Sequence, residues 1–246
     1  MFEIRSYRCH VKPRGLTHFR VVYKESDLQI IAEKDLSRES LTFLKEERRP
    51  LENFILSHPE FLSALKPIKI NDKAPPIVQE MLQAARLAGV GPMAAVAGVI
   101  AERVGKRLLE TGLTGEVVIE NGGDIFLSLK REAMVAIFAG ESPLSGKIGL
   151  RIRKDLMPLG VCTSSGTVGH SLSLGRADAV CVLARSTALA DACATALGNL
   201  VKGRRSFDKL LAYAQGIPEI KGVVCVFKEE LFVWGEWVEL VPIKSF

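Results

Sequence analysis

Apolar positions change their period along this chain, and each change marks an element. Phe19-Arg-Val-Val-Tyr-Lys24 and Leu28-Gln-Ile-Ile-Ala32 are rich in β-branched and aromatic residues and read as strands, with turn chemistry at Glu25-Ser-Asp27 between them. Ser37 or Ser40 can cap a helix that runs to about Leu56 with Leu41, Leu44, Leu51 and Ile55 inward. His58-Pro59 breaks it, a short helix follows to Leu65, and Pro67 ends that. Asn71 to Pro76 is a loop, and Pro75 and Pro76 suit the first turn of a helix over Ile77–Leu87. Gly89-Val-Gly-Pro92 opens a second helix, about Met93 to Glu110, whose start is rich in alanine and glycine. A helix that starts so can approach another backbone closely, within the monomer or across a dimer.

Beyond Gly112 and Gly115 the period drops to two. Val117–Glu120, Asp124–Leu129, Met134–Ala139 and Ile148–Ile152 read as four strands joined by turns. Gly160 to Gly175 reads as a loop rich in Ser, Thr and Gly, and Asp178–Ala184 as a buried strand. A helix begins at Thr187, another spans Phe207–Ala214, and a hairpin turning at Lys228-Glu-Glu230 closes the chain. Runs of strands beside runs of helices predict an α+β fold of mixed, largely antiparallel sheets with flanking helices. Residues 1–246 read as one domain, with a two-lobed arrangement around a central site as its variant.

Composition narrows the class. Of 246 residues, 48% are hydrophobic and 25% charged, an ordinary globular balance. The longest apolar stretch, Pro92–Ala101, is too short for a bilayer, and the first residues hold no apolar signal core, so the expected setting is cytoplasmic with no membrane partner. Five cysteines, Cys9, Cys162, Cys181, Cys193 and Cys225, include no CxxC pair, which argues for reduced thiols. The net charge of +5 comes from basic clusters at Arg5–Arg20, Arg48–Arg49, Arg151–Lys154 and Lys202–Arg205. Few aromatics interleave them, which argues against nucleic acid; a basic rim for a phosphorylated small molecule explains the charge equally well.

Three segments carry candidate chemistry. In Thr187-Ala-Leu-Ala-Asp-Ala-Cys-Ala-Thr-Ala-Leu-Gly-Asn199, Asp191, Thr195 and Asn199 fall at i, i+4, i+8 and draw one polar line on an apolar cylinder. A buried carboxylate needs a partner: a bound cation, a basic side chain, or backbone N–H groups that it caps. Glu120-Asn-Gly-Gly-Asp124 has hairpin-turn chemistry, and Gly122 and Gly123 also leave main-chain atoms open to a ligand or metal, flanked by Glu120 and Asp124. Cys162-Thr-Ser-Ser-Gly-Thr-Val-Gly-His170 gathers hydroxyls and small residues that can donate to phosphate oxygens. Cys162 reads as a small core residue before a nucleophile, and His170 as a phosphate contact, an acid–base group or a structural hydrogen bond.

Taken together, these segments resemble the ApbE superfamily, the FAD:protein FMN transferases. The likeness rests on Gly122-Gly-Asp-Ile125, on Thr163-Ser-Ser-Gly166 with His170, and above all on Thr187-Ala-Leu-Ala-Asp-Ala-Cys-Ala-Thr-Ala-Leu197, and it runs from about Gly91 to Gly198. The resemblance implies an ApbE-like fold. It implies Mg2+ held by Asp191 and Thr195 beside a flavin pyrophosphate, with main-chain oxygen near Asn121 and Gly122. It implies ligand contacts from Asn121, Gly122, Gly123 and Asp124 and from Thr163, Ser164, Ser165, Gly166 and Thr167, and catalytic roles for His170 and Asp191. FAD or FMN would be the cofactor, and transfer would require an acceptor protein. The family's Lys-Gly-x-x-x-Asp segment is replaced here by Gly91-Pro-Met-Ala-Ala-Val-Ala-Gly98, and its histidine stretch is shortened to His170-Ser-Leu-Ser-Leu-Gly175. The expected function is therefore a magnesium-assisted site for a flavin or other phosphorylated nucleotide-like ligand, with FMN transfer or FAD pyrophosphate cleavage as its chemistry. The competing class is a non-catalytic small-molecule-binding protein on the same scaffold.

Overall fold

The computed structural model describes residues 15–69, 73–166 and 175–243. Among them an eight-stranded antiparallel sheet carries helices on one face and a small three-stranded sheet on the other. The large sheet has the order β1 (Thr17–Tyr23), β2 (Ser26–Ala32), β3 (Val117–Asn121), β4 (Asp124–Ser128), β7 (Leu159–Ser164), β8 (Ala179–Ala184), β9 (Ile220–Phe227) and β10 (Glu230–Trp234). The small sheet is β11 (Leu240–Pro242), β6 (Ile148–Ile152) and β5 (Ala133–Ala136).

Burial on both faces explains why β8 is an unbroken apolar run rather than an alternating one. Its Val180, Val182 and Ala184 meet the helices, while Ala179, Cys181 and Leu183 meet the small sheet. The helical layer holds α1 (Ser37–Ser57), α2 (Glu60–Ser63), α3 (Pro76–Ala88), α4 (Val96–Glu110), α5 (Thr187–Leu200) and α6 (Phe207–Gln215). A 3-10 turn over Pro92–Ala95 leads into α4. No single helix among the described residues is long and apolar enough to cross a membrane.

Helix α5 is the centrepiece of that layer, and small residues let it sit deep. A Cβ on Gly160 of β7 would lie 2.5 Å from the Thr187 Cα, one on Gly98 of α4 2.5 Å from the Thr187 carbonyl oxygen, and one on Gly175 against the Gly198 carbonyl. Seven residues beyond Gly98 on α4, Gly105 takes the ring of Phe126 from β4. The glycine face of α4 therefore packs within the chain, against α5 and the sheet.

Three expectations need correction. Residues 159–164 form a central strand, not the start of a loop: Leu159 to Cys162 pair with β4 on one side, and Thr163 and Ser164, though polar, continue the ladder to β8 on the other. Helix α1 has Leu36 at its N-cap, and Asp35 rather than a serine accepts the Ser37 N–H, at 2.8 Å; Ser40 lies buried inside the helix, and its Oγ has no partner among the described residues. The short edge strand β11 follows the hairpin and closes the small sheet. The other predicted helices and strands appear within a few residues of their expected bounds.

Candidate functional site

One row of side chains crosses the helical face of the large sheet through paired positions Leu28, Asn121, Asp124, Cys162, Val182 and Val223. Asn121 and Asp124, each 7% exposed, make a polar notch in an otherwise apolar row. The notch lies under the first turns of α4 and α5. Asn121 Nδ2 donates to the Ala97 carbonyl of α4 at 3.1 Å, and the Cys162 thiol donates to the Thr187 carbonyl of α5 at 3.4 Å.

The turn beside the notch has Gly122 and Gly123 at its two central positions, with Asn121 and Asp124 as the flanking pair. Both glycines take positive φ, 72° and 102°, which side-chain-bearing residues rarely adopt. The Gly123 carbonyl accepts the Thr163 N–H at 3.2 Å, so the glycine turn rests on the backbone of β7. Glu120 Oε1 accepts the Gly123 N–H at 2.7 Å, which engages that carboxylate with the turn.

Asp191 closes the notch from above. Its Oδ2 accepts the Gly98 N–H at 2.8 Å, and the Ala97 N–H also donates to the carboxylate. The 3-10 turn and Ala95 offer α4 no side-chain cap, so Asp191 caps it from another helix. The arrangement is reciprocal. Glu102 of α4 accepts the Thr187 N–H of α5 at 2.7 Å while paired with Lys106, and Ser186 accepts the Leu189 N–H at 3.3 Å. Burial nevertheless pushes the Asp191 carboxyl up to about 7, because the two amides lower it by less than desolvation raises it. Among the described residues no lysine or arginine contributes to its environment.

The same surroundings silence Cys162. Burial first, then the negative charge of Asp124 and Asp191, holds its thiol well above the usual range, so it is a core thiol and not a thiolate nucleophile. Cys162, Cys181, Cys193 and Cys225 are all buried and free.

The candidate residues divide into groups. Asn121, Gly122, Gly123, Asp124 and Asp191 come together with the first turn of α4. Ser164 is buried one step further along β7. Thr163 brings its backbone to the glycine turn, but its hydroxyl interacts with Cys181 on the far face of the sheet, away from Asp191. Ser165 is half-buried, and the Gly166 N–H donates to the Ala177 carbonyl at 2.9 Å, where the chain comes back towards β8. Thr195 is half-buried one turn beyond Asp191. Thr167 and His170 lie outside the described residues. Sequence reasoning missed Ala97 and Gly98, whose main-chain atoms meet Asn121 and Asp191. The available signal was a helix opening Pro-Met-Ala-Ala-Val, with no residue able to cap itself.

The model of the protein family described as AbpE bacteria matches residues 8–212. The chain belongs to this ApbE-like family. It is 40% identical over 228 residues to UPF0280 protein MJ1526 of Methanocaldococcus jannaschii, covering 90% of this chain and 92% of the relative. It is 41% identical over 232 residues to a UPF0280 protein of Methanococcus aeolicus, covering 92% and 93%. Among solved structures, a mutant of the flavin transferase ApbE from Vibrio cholerae superposes with a TM-score of 0.56 at 16% identity, over 89% of this chain and 97% of that one. The ApbE protein of Thermotoga maritima gives 0.56 at 11% identity, over 88% and 96%. At these identities the structural matches establish a shared ApbE fold.

Proposed function

We propose that this ApbE-like protein binds a flavin nucleotide, FAD or FMN, through a Mg2+-assisted site at the notch, and that its reaction is FAD pyrophosphate cleavage or FMN transfer to an acceptor protein. The observation that carries the proposal is Asp191. It is a buried carboxylate on the polar line of α5, short of positive charge, beside a glycine turn and a second buried carboxylate, Asp124. A carboxylate offers about four lone-pair sites, and two backbone N–H groups leave acceptor capacity for a cation. Among the described residues no three His, Cys, Asp or Glu side chains group as a metal centre. The cation would therefore draw on Asp191, Thr195, main-chain oxygen and the ligand's own phosphates, a donor set that suits magnesium.

Bound there, Mg2+ would neutralise charge developing on the pyrophosphate. The chain's own residues would do the rest. Gly122 and Gly123 let the ligand approach main-chain atoms, Ser164, Ser165, Gly166 and Thr167 supply donors along it, and His170 is the candidate acid–base group. Four buried, unpaired thiols suit the reducing cytoplasm.

The test is incubation of the purified protein with FAD, with magnesium or with EDTA, followed by mass spectrometry of small molecules and protein. Magnesium-dependent release of AMP, with FMN free or attached to protein, supports the proposal. Absence of both FAD binding and turnover in magnesium removes it. Tight binding without turnover favours the carrier reading, for which the apolar Gly91–Gly98 segment speaks: it lacks the family's lysine and aspartate at the start of that helix.

A further inference from the structure

Helices α4 and α5 meet through two carboxylates that repeat one pattern. On α4, Gly98 gives its N–H to Asp191, and four residues further on Glu102 accepts the Thr187 N–H. On α5, Thr187 gives its N–H to Glu102, and four residues further on Asp191 accepts that of Gly98. Four residues are about one helical turn, so two bonds and two turns close a ring through Gly98, Glu102, Thr187 and Asp191. The ring is tight. A Cβ on Gly98 would lie 2.5 Å from the Thr187 carbonyl oxygen and 2.8 Å from the Asp191 Cβ, so Gly98 meets both ends of the α5 turn. A slide or rotation of that turn cannot leave the Gly98–Asp191 bond as it is. The pattern breaks one turn further along each helix. Four residues beyond Glu102, Lys106 lies on Glu102 Oε1 at 2.7 Å, while Oε2 holds Thr187. Four residues beyond Asp191 stands Thr195, which carries no charge. Both carboxylates are buried and both hold a helix end, but of the two only Glu102 has a cationic side chain on it among the described residues.

We propose that Glu102 is a positioning residue for the site: by fixing the first turn of α5 it holds the Asp191 carboxylate against the first turn of α4, over the notch of Asn121 and Asp124. The inference rests on the reading of Asp191 as the functional carboxylate. It assigns the carboxylate that has its own lysine to support and the one without a cationic side chain to the ligand. The N-cap of α5 does not replace Glu102, because Ser186 Oγ takes the Leu189 N–H at 3.3 Å and leaves the Thr187 N–H to Glu102. A carboxylate held in place before a ligand arrives costs less to immobilise on binding, so the support acts on affinity.

The test is amide hydrogen exchange of the full chain without metal or ligand, read at Gly98 and Thr187 against Val104 of α4 as reference. Glu102→Ala is expected to speed exchange at Gly98, to which Glu102 makes no side-chain bond, by about tenfold relative to Val104. Glu102→Gln keeps an oxygen for the Thr187 N–H and is expected to restore most of the protection. Coupling is reciprocal, so Asp191→Ala is expected to speed exchange at Thr187 by a similar factor. Arg107→Ala removes ion pairs from α4 to Glu46 and Glu47 of α1 and is expected to leave the Gly98-to-Val104 ratio unchanged. Should Glu102→Ala not fold, Glu102→Asp, one methylene shorter, is expected to show the same change at smaller size. An unchanged ratio in the Glu102 variant that folds, a glutamine variant as fast as the alanine one, or an equal change in Arg107→Ala overturns the inference. A magnesium titration in the presence of FAD is the functional arm: Glu102→Ala is expected to need about tenfold more magnesium for half-maximal binding, and Glu102→Gln about as much as the wild type. Equal magnesium demand in Glu102→Ala and a responding wild type also overturns the inference. A wild type indifferent to magnesium removes the metal reading instead, and the exchange result then decides the role of Glu102 by itself.

Discussion

Replacing Asp191 by asparagine separates its two candidate roles. The amide oxygen still accepts the Gly98 N–H, but the side chain never ionises. In the folded wild type the carboxyl sits near 7, above its ordinary 3.8. Between those values the folded state holds a proton that the unfolded state has released. Stability from this group therefore falls as pH rises from about 4 to about 7 and stays low above that. Three pKa units correspond to about 4 kcal/mol, an upper bound from which any loss at the Ala97 amide subtracts. The assay is urea unfolding of both proteins in EDTA from pH 4 to pH 8. Other carboxylates shift both curves alike, so the difference between them isolates Asp191. That difference should grow in favour of Asp191→Asn by up to about 4 kcal/mol, mostly below pH 7. Adding magnesium at pH 8 should then stabilise the wild type and leave the variant unmoved. A difference flat in pH would refute the electrostatic argument, and an equal magnesium response in both proteins would remove Asp191 from any metal site.

Three further outcomes follow from buried details. Ser40→Ala deletes a hydroxyl with no partner and should raise stability by about 1 kcal/mol in urea unfolding; a loss would mean that Ser40 Oγ is bonded in solution. Gly98→Ala places a methyl 2.5 Å from the Thr187 carbonyl and 2.8 Å from the Asp191 Cβ, and should cost about 1–3 kcal/mol. Gly203→Ala, with nothing within 4 Å, should change the unfolding midpoint little, and equal effects at the two glycines would contradict the packing of α4 on α5. At pH 8 a thiol reagent should label Cys162, Cys181, Cys193 and Cys225 only on the unfolding timescale; rapid modification of Cys162, read by peptide mapping, would reopen the nucleophile reading.

What was legible in the chain follows from how local each signal is. The apolar run of β8 and the small-residue helix α5 declare themselves because burial on every side leaves no polar position to confuse the period. The Gly122-Gly123 turn is equally local, since its backbone demands two positive φ values. Strand β7 was hidden because Thr163 and Ser164 look like loop residues until β8 is placed beside them. The links that assemble the site were illegible for a different reason. Asp191 reaches Gly98 across 93 positions and Thr187 reaches Glu102 across 85. Neither Ala97 nor Gly98 bears a side chain that announces a role.

The cap on α4 and the proposed cation are two answers to one electrostatic deficit at Asp191. A helix N-terminus presents about half a unit of positive charge. Were that enough, the two amides of α4 would hold the carboxyl below its ordinary value. It lies at about 7 instead, so burial outweighs them. Glu116 shows the satisfied case. It is 3% exposed against 8% for Asp191, but nearer the surface; Arg131 lies on it at 2.7 Å, the Lys130 N–H donates to it, and its carboxyl is lowered. Two things differ: Glu116 is far less desolvated, and it has a full positive charge beside it that Asp191, among the described residues, lacks. A fold selected only to join α4 to α5 could have used a neutral asparagine there at less cost. The cation proposed at Asp191, brought in with an anionic ligand, would supply the charge that the two amides do not.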